Sequence, residues 1–220
     1  MRSSPAAESI VIPVERGRIG ADLRVPERAA GLVIFAHGSG SSRFSSRNRA
    51  VAGFLETNGF GTLLLDLLTR EEESVDIHTR EHRFDIDLLG SRVVLATDWA
   101  QDRPDLRQLP IGYFGASTGA AAALIGAAVR PAVARAVVSR GGRPDLAGDA
   151  LPRVQAPTLL IVGGDDEPVI EMNRDAMKQM SAPVELEVVP GATHLFEEPG
   201  TLDRVMDLAS GWFRRYLETA

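Results

Sequence analysis

Apolar residues follow two alternating patterns along the chain. Short runs rich in apolar residues, typical of buried strands, lie at 31–36, 62–66, 111–114, 136–139, 158–162 and 184–189. Segments with apolar residues at every third or fourth position, which predict helices, lie near 47–58, 84–100, 169–180 and 202–216. An alanine-rich block at 120–129 predicts a further, buried helix. Strands that alternate with helices indicate βαβ units, so the pattern predicts an α/β fold with a mostly parallel sheet.

The N-terminal part has a different pattern. Strand-like segments at 10–14 and 21–25 flank a short polar stretch that contains Gly17, which predicts an antiparallel hairpin. Pro13 cannot donate to a sheet ladder, so this hairpin is expected at the sheet edge. We predict a flexible N-terminus over 1–9 and a single domain over 10–220.

The composition narrows the class of protein. A chain of 220 residues is long enough for one well-buried α/β domain. Its net charge of -6 argues against a nucleic-acid partner and gives no reason to expect a membrane surface. It has no cysteine, which excludes disulfides, thiolate zinc sites and cysteine nucleophiles and suits a reducing cytoplasm. We therefore expect a cytoplasmic protein, monomer or homodimer, that acts on a small molecule.

Gly115-Ala116-Ser117-Thr118-Gly119 matches the G-x-S-x-G nucleophile elbow. The motif needs a strand before it and a helix after it, and both patterns are present. A side chain at Gly115 or Gly119 would collide with the neighbouring helix or strand, so glycine is expected at both positions. Ser117 is the candidate nucleophile.

A candidate base and a candidate acid follow other predicted strands. His194 comes after the last strand, in a short glycine loop, where it could take the proton of Ser117. Asp165 and Asp166 follow the strand at 158–162, and either could orient the imidazole or simply cap the next helix. The chain order Ser, Asp, His is that of α/β-hydrolases.

The loop at 37–42 is rich in glycine and serine and is the candidate oxyanion loop. We expect the backbone amides of Thr118 and Ser39 to be the two donors, with Gly40 as the competitor of Ser39. His37 is expected to hold this loop by hydrogen bonds.

Other residues have weaker interpretations. Arg140, which follows a strand end, is a possible contact for an anionic substrate group. Glu71–Glu73 is expected to be a solvated face or the rim of a pocket, and His78 and His82 are expected on the surface. Gly38-x-Gly40 with Asp66 resembles half of a dinucleotide fingerprint, but that interpretation leaves the serine, the acid and the histidine unexplained. A metal site on 165–167 would need His194 and is not expected.

These segments together resemble the dienelactone hydrolase-like group of α/β-hydrolases over about residues 10 to 218. The resemblance depends on 37–43, 66–69, 115–119, 163–169 and 191–196. It implies an α/β-hydrolase fold with about eight strands, helices on both faces and no cofactor. It also selects Asp166, because Gly163, Asp166 and Val169 fit the family's G-x-x-D-x-x-V frame.

One departure from the group is informative. Dienelactone hydrolases have a cysteine in the elbow, whereas this chain has Ser117. The resemblance therefore implies a serine carboxylesterase for small or soluble substrates, without a large lid. The alternatives are a thioesterase, an amidase or a perhydrolase with the same triad, or a binding protein that kept the fold.

Overall fold

The protein is described by a computed structural model that covers residues 7–218. Its strands are β1 (Glu8–Val14), β2 (Gly17–Arg24), β3 (Leu32–Ala36), β4 (Gly61–Leu65), β5 (Ile111–Ala116), β6 (Ala134–Arg140), β7 (Thr158–Gly163) and β8 (Val184–Val189). Its α-helices are α1 (Ser46–Thr57), α2 (Arg70–Thr79), α3 (Ile86–Asp102), α4 (Thr118–Val129), α5 (Glu167–Met177) and α6 (Thr201–Leu217). A bent 3₁₀ segment, Pro144–Arg153, precedes β7.

All eight strands form one sheet in the order β1-β2-β4-β3-β5-β6-β7-β8. β1 and β2 form the predicted antiparallel hairpin, and β2 is also antiparallel to β4. The remaining neighbours are parallel, so the carboxyl ends of β3 to β8 meet at one edge. The predicted fold class, an α/β-hydrolase sheet of eight mostly parallel strands, is confirmed.

The hairpin also tests the N-terminal boundary. β1 is the edge strand, as Pro13 predicts. Residues 1–6 lie outside the described part of the chain, but Glu8 and Ser9 already pair with Leu23 and Asp22. The prediction of a flexible segment up to residue 9 is therefore wrong for these two residues, because their backbone groups are bonded within the ladder.

The core has two main layers, one on each face of the sheet. Side chains of β5 alternate between them: Tyr113 packs on the α3 and α4 face, and Phe114 packs on the α1 and α6 face. α4 is rich in alanine, and α6 covers the other face with Val205, Ala209 and Phe213. Burial of both faces is the reason that the inner strands are apolar at nearly every position.

Helix α2 was not predicted, because only Asp76 is buried among its ten residues and no apolar stripe reveals it. Its sequence signal is a capping box. The Thr69 side chain accepts a hydrogen bond from Glu72 N (3.1 Å), and the Glu72 carboxylate accepts one from Thr69 N (2.8 Å). Asp76 then accepts hydrogen bonds from the backbone amides of His82 and Arg83, so a polar side chain anchors this helix.

No helix within residues 7–218 is both long enough and apolar enough to cross a membrane.

Candidate active site

Ser117 lies at the turn between β5 and α4, and its backbone is strained. Its φ of 51° and ψ of -123° are values that residues with a side chain rarely adopt. Such a conformation costs on the order of 1–3 kcal/mol and persists only where the surroundings enforce it. The strain is typical of a nucleophile elbow, in which the serine side chain is exposed above the sheet edge.

Close backbone contacts enforce this turn. A Cβ on Gly115 would lie against the backbone of Ala120 in α4, and a Cβ on Gly119 would lie against the carbonyl oxygens of Ala36 and His37. Both glycines are therefore needed, for the reason expected from the motif: one allows the helix to approach, and the other allows the end of β3 to approach.

His194 and Asp166 are in direct contact. His194 Nδ1 lies 2.7 Å from Asp166 Oδ2, across 28 residues of sequence. Asp166 is the N-cap residue of α5, yet its side chain makes no capping hydrogen bond, whereas Asp165 is exposed. The helix-cap interpretation therefore does not describe the Asp166 side chain, and the geometry distinguishes the two aspartates.

Two glycines bring the loops of this pair together. A Cβ on Gly163, at the end of β7, would collide with the carbonyl oxygens of Ala192 and Thr193. A Cβ on Gly141 would lie 2.9 Å from His194 O, and Gly141 also has a φ of +50°. The histidine loop thus rests on the ends of β6 and β7.

Ser117 and His194 both contact the segment 140–141, but the structure shows no hydrogen bond between these two described residues. Ser117 N donates to Arg140 O (3.2 Å), and the next residue, Gly141, lies against His194. Hydrogen bonds between catalytic groups are often long in unliganded sites and shorten with substrate.

Glu198 holds the histidine loop, and sequence reasoning did not identify it. Its carboxylate accepts hydrogen bonds from Thr193 Oγ1 (2.6 Å) and Thr193 N (3.1 Å). These bonds hold the pKa of Glu198 below its ordinary value. Phe196 anchors the same loop in the core, with a positive φ of 56°. A Thr followed by a Glu five residues later is not an established sequence motif, so only the folded loop reveals the contact between Thr193 and Glu198.

The candidate oxyanion loop is held by His37, as expected. His37 Nδ1 lies 2.8 Å from Gly38 O, and Leu67 N donates to His37 Nε2 (3.1 Å). These contacts define a neutral ring with its proton on Nδ1, and burial lowers the pKa of His37. Asp66 accepts a hydrogen bond from Arg43 N (3.0 Å) and pairs with its guanidinium. Asp66 thus anchors the loop rather than facing a ribose.

The two predicted oxyanion donors are adjacent, but one of them is already bonded. Ser39 N donates to Thr118 Oγ1 at 2.8 Å. Thr118 is the first residue of α4, and the first amides of a helix have no partner within it. The Ser39 amide can serve a substrate oxygen only after it leaves Thr118 Oγ1.

Arg140 is the last residue of β6 and is buried. Its Nη2 lies 3.5 Å from Asn48 Oδ1 on α1, while its Nε and Nη1 have no hydrogen-bond partner. Burial, followed by the neighbouring guanidinium of Arg47, lowers the pKa of Arg140 to about 10.

A cavity of about 190 Å³ opens beside the oxyanion loop and borders residues 37–42. Helix α2 forms its other wall with Glu73, Asp76 and Ile77; Ser117 does not line it. Of the three glutamates at 71–73, Glu73 therefore lines a cavity, while Glu72 pairs with Arg92.

The two histidines of this region lie at the surface. His78 is exposed and His82 is half-buried beside Glu81, as expected for surface residues. Residues 7–218 contain no cluster of three or more side chains suited to a metal ion.

Comparison with known proteins identifies the family. The sequence model of the dienelactone hydrolase family matches residues 19–213. The chain belongs to the dienelactone hydrolase family. A crystal structure of a dienelactone hydrolase from Anabaena variabilis is 56% identical and superposes with a TM-score of 0.95, over 97% of this chain and 99% of that one. The family and the fold of the chain therefore agree.

Two further similarities have a narrower meaning. An α/β serine hydrolase without a lid from Xanthomonas campestris is 19% identical with a TM-score of 0.77, over 97% of this chain and 96% of that one, and supports the fold alone. Proteins from two strains of Mycobacterium tuberculosis are 58% identical over 199 residues and carry the provisional name phosphoribosyl transferase. That match covers 90% of this chain but 44% of those relatives, so the chain spans less than half of their length.

Proposed function

We propose that this family member is a serine hydrolase that cleaves carboxylic esters of small or soluble substrates through an acyl-enzyme. The observation that carries the proposal is the 2.7 Å contact between His194 Nδ1 and Asp166 Oδ2 at the sheet edge where Ser117 has its strained turn. A serine, a histidine and a carboxylate with these relations are the parts of a catalytic triad.

In this mechanism Ser117 Oγ attacks the ester carbonyl while His194 Nε2 takes its proton. Asp166 accepts the Nδ1 proton of His194 in a hydrogen bond, which fixes the tautomer and stabilises the imidazolium. The proton on Nε2 then passes to the leaving alcohol as the C–O bond breaks, and an acyl-enzyme remains. Water attacks that ester with His194 again as base, and the acid and Ser117 are released.

The amides of Thr118 and Ser39 are the proposed oxyanion donors. Thr118 N points from the start of α4, where the helix dipole also favours negative charge. Ser39 N would exchange Thr118 Oγ1 for the substrate oxygen, with Gly40 N as the alternative donor.

Arg140 is the proposed contact for a substrate anion. The cytoplasmic location and the monomer or homodimer state remain predictions.

The Mycobacterium relatives do not supply a second function for this chain. Their provisional name describes proteins of which this chain covers 44%, and the matching part belongs to a hydrolase family. A thioesterase, an amidase or a perhydrolase would use the same three residues. A binding protein would have no need for the strained serine or for an aspartate that leaves its helix cap to meet a histidine.

The test uses wild type and Ser117→Ala with p-nitrophenyl esters of increasing acyl length and with a fluorophosphonate probe. We expect the wild type alone to be labelled once per chain and to turn over short esters. Loss of the nucleophile should lower kcat by at least about 10⁴-fold. A parallel set of thioesters and anilides ranks the alternatives by kcat/KM.

Thermal unfolding serves as the folding control, because the Ser117→Ala substitution also changes the strain at the elbow. Equal labelling of both proteins, or no turnover of any acyl compound by a folded wild type, would refute the proposed mechanism.

A further inference from the structure

Arg140 has a buried positive charge that no anion balances among residues 7–218. The residue is 7% exposed, and its Nε and Nη1 atoms have no hydrogen-bond partner. Its remaining contact, to Asn48 Oδ1, is long at 3.5 Å and is made to a neutral amide. Buried charges in proteins are paired, because an unpaired one is strongly destabilising.

The surroundings of Arg140 increase this imbalance. Arg47, in the first turn of α1, brings a second guanidinium, and its Nε is also buried without a partner. The start of α1 adds the partial positive charge of a helix N-terminus. Glu197 is the carboxylate nearby, but it binds Arg47 (2.9 Å) and its side chain is 63% exposed.

The core does not require an arginine at this position. Ala136 and Val138 precede it on the same face of β6 and pack with α1 and α6. An apolar residue could continue that row without the cost of a buried charge. We therefore look for a role other than packing. The backbone of Arg140 is next to that of the candidate nucleophile, because Ser117 N donates to the Arg140 carbonyl oxygen at 3.2 Å, and this neighbourhood suggests a role in substrate recognition.

We propose that Arg140, Arg47 and Asn48 form an anion subsite that binds a carboxylate or phosphate group of the substrate. The fork of a guanidinium matches both groups, and the amide of Asn48 adds a donor. Since surface ion pairs contribute little, an incoming anion can replace Glu197 on Arg47. The inference that the substrate is an anionic ester depends on the proposed function; the anion subsite itself does not.

Two matched pairs of esters test the substrate class. One pair is p-nitrophenyl hemisuccinate and p-nitrophenyl butyrate; the other is 2-acetoxyethyl phosphate and 2-methoxyethyl acetate. We expect Arg140→Gln to lower kcat/KM for the charged member about 10- to 100-fold more than for its neutral partner, because charge-assisted hydrogen bonds are lost. The pair with the larger effect shows whether the anion belongs on the acyl side, as in the hemisuccinate, or on the alcohol side, as in the phosphate ester. The binding measurement below distinguishes a carboxylate from a phosphate.

Three further variants make the result specific. Arg140→Lys keeps the charge without the fork and should lose part of the preference. Arg47→Gln changes a more exposed side chain and should also lose part of the preference for charged esters. This variant keeps the proposal testable if Arg140→Gln does not fold. Arg49→Gln removes one charge from the same helix, where Arg49 pairs with Asp22, and should leave the preference unchanged.

A binding measurement is independent of turnover. At constant ionic strength, inorganic phosphate or succinate in place of chloride should raise the Tm of wild type and of Ser117→Ala, but not that of Arg140→Gln. If the anions raise the Tm of both wild type and Ser117→Ala but the wild type cleaves no ester, the anion subsite is supported and the hydrolase mechanism is refuted.

The opposite combination overturns the inference. If the wild type cleaves esters with no preference for the charged members and neither anion raises its Tm, Arg140 is a buried structural cation. An equal loss of kcat/KM for charged and neutral esters in Arg140→Gln, without anion protection of the wild type, leads to the same conclusion.

Discussion

Two charged groups at the carboxyl edge of the sheet are balanced in different ways. His194 and Asp166 form a pair at 2.7 Å that is complete without any ligand. Arg140, at the end of β6, has no carboxylate partner within residues 7–218, and the charge that acts on it is that of Arg47. A complete pair is ready for proton transfer, whereas an incomplete one needs a ligand. The comparison separates groups suited to reaction from groups suited to recognition.

Removal of the negative charge from the His194–Asp166 pair should have the largest effect. Asp166→Asn keeps the size of the side chain but can no longer stabilise an imidazolium, so we expect kcat to fall by about 10³- to 10⁴-fold. Asp165→Asn, one residue away and exposed, is the matched control and should stay within about threefold of wild type. The measurement is kcat for a neutral p-nitrophenyl ester. Similar losses in the two variants would show that the Asp166 contact has no catalytic role.

Gly141 links Arg140 to the His194–Asp166 pair, because it follows Arg140 in the chain and its Cβ position lies 2.9 Å from His194 O. Gly141→Ala should displace the histidine loop and lower kcat by about 10- to 100-fold. Gly148→Ala is the matched control: its φ of +47° is close to the +50° of Gly141, but nothing lies within 4 Å of its Cβ position. Both variants should lose about 1 kcal/mol of stability from the positive φ. The idea fails if both retain wild-type kcat.

The smallest expected effect contrasts two buried basic side chains. His37 can avoid its charge by releasing a proton, whereas Arg140 cannot. Burial lowers the pKa of His37 in the folded state, so the unfolded chain binds the proton more readily. Stability should therefore fall as the pH decreases through about 6.5, the ordinary histidine value.

His37→Gln should remove this contribution. Between pH 7.5 and pH 5.5 the wild type should lose up to about 1.4 kcal/mol more stability than the variant. Urea unfolding at both pH values measures it, and His78→Gln, at an exposed position, is the control and should match wild type. Parallel pH dependence in wild type and His37→Gln would mean that His37 is not held neutral in the fold.

The comparison also shows which parts of the site and of the fold could be predicted from the sequence. The elbow and the chain order of serine, acid and histidine were visible because strand ends of a parallel sheet gather at one edge. The choice between Asp165 and Asp166 needed a family resemblance, since one residue of helix phase decides which side chain faces His194. Helix α2 was missed because a capping box and a buried aspartate, rather than an apolar stripe, stabilise it.

Contacts between distant segments were not predictable. Arg140 and Asn48 are 92 residues apart, and Ser39 and Thr118 are 79 apart. No periodicity connects such positions, because their contact depends on loop paths and on the register of neighbouring strands. The same holds for Glu198, whose carboxylate reaches Thr193 only because the loop between them is folded back.

The sequence by itself determined the sheet, the strained turn at Ser117 and the need for glycine on either side of it, because backbone geometry and the apolar pattern are local properties. The tertiary structure alone decided which charges are paired. It joined Asp166 to His194, bonded the Ser39 amide to Thr118, and left Arg140 beside Arg47. The energy of a charge depends on burial and on neighbours within a few ångströms, and these are set only when distant segments meet.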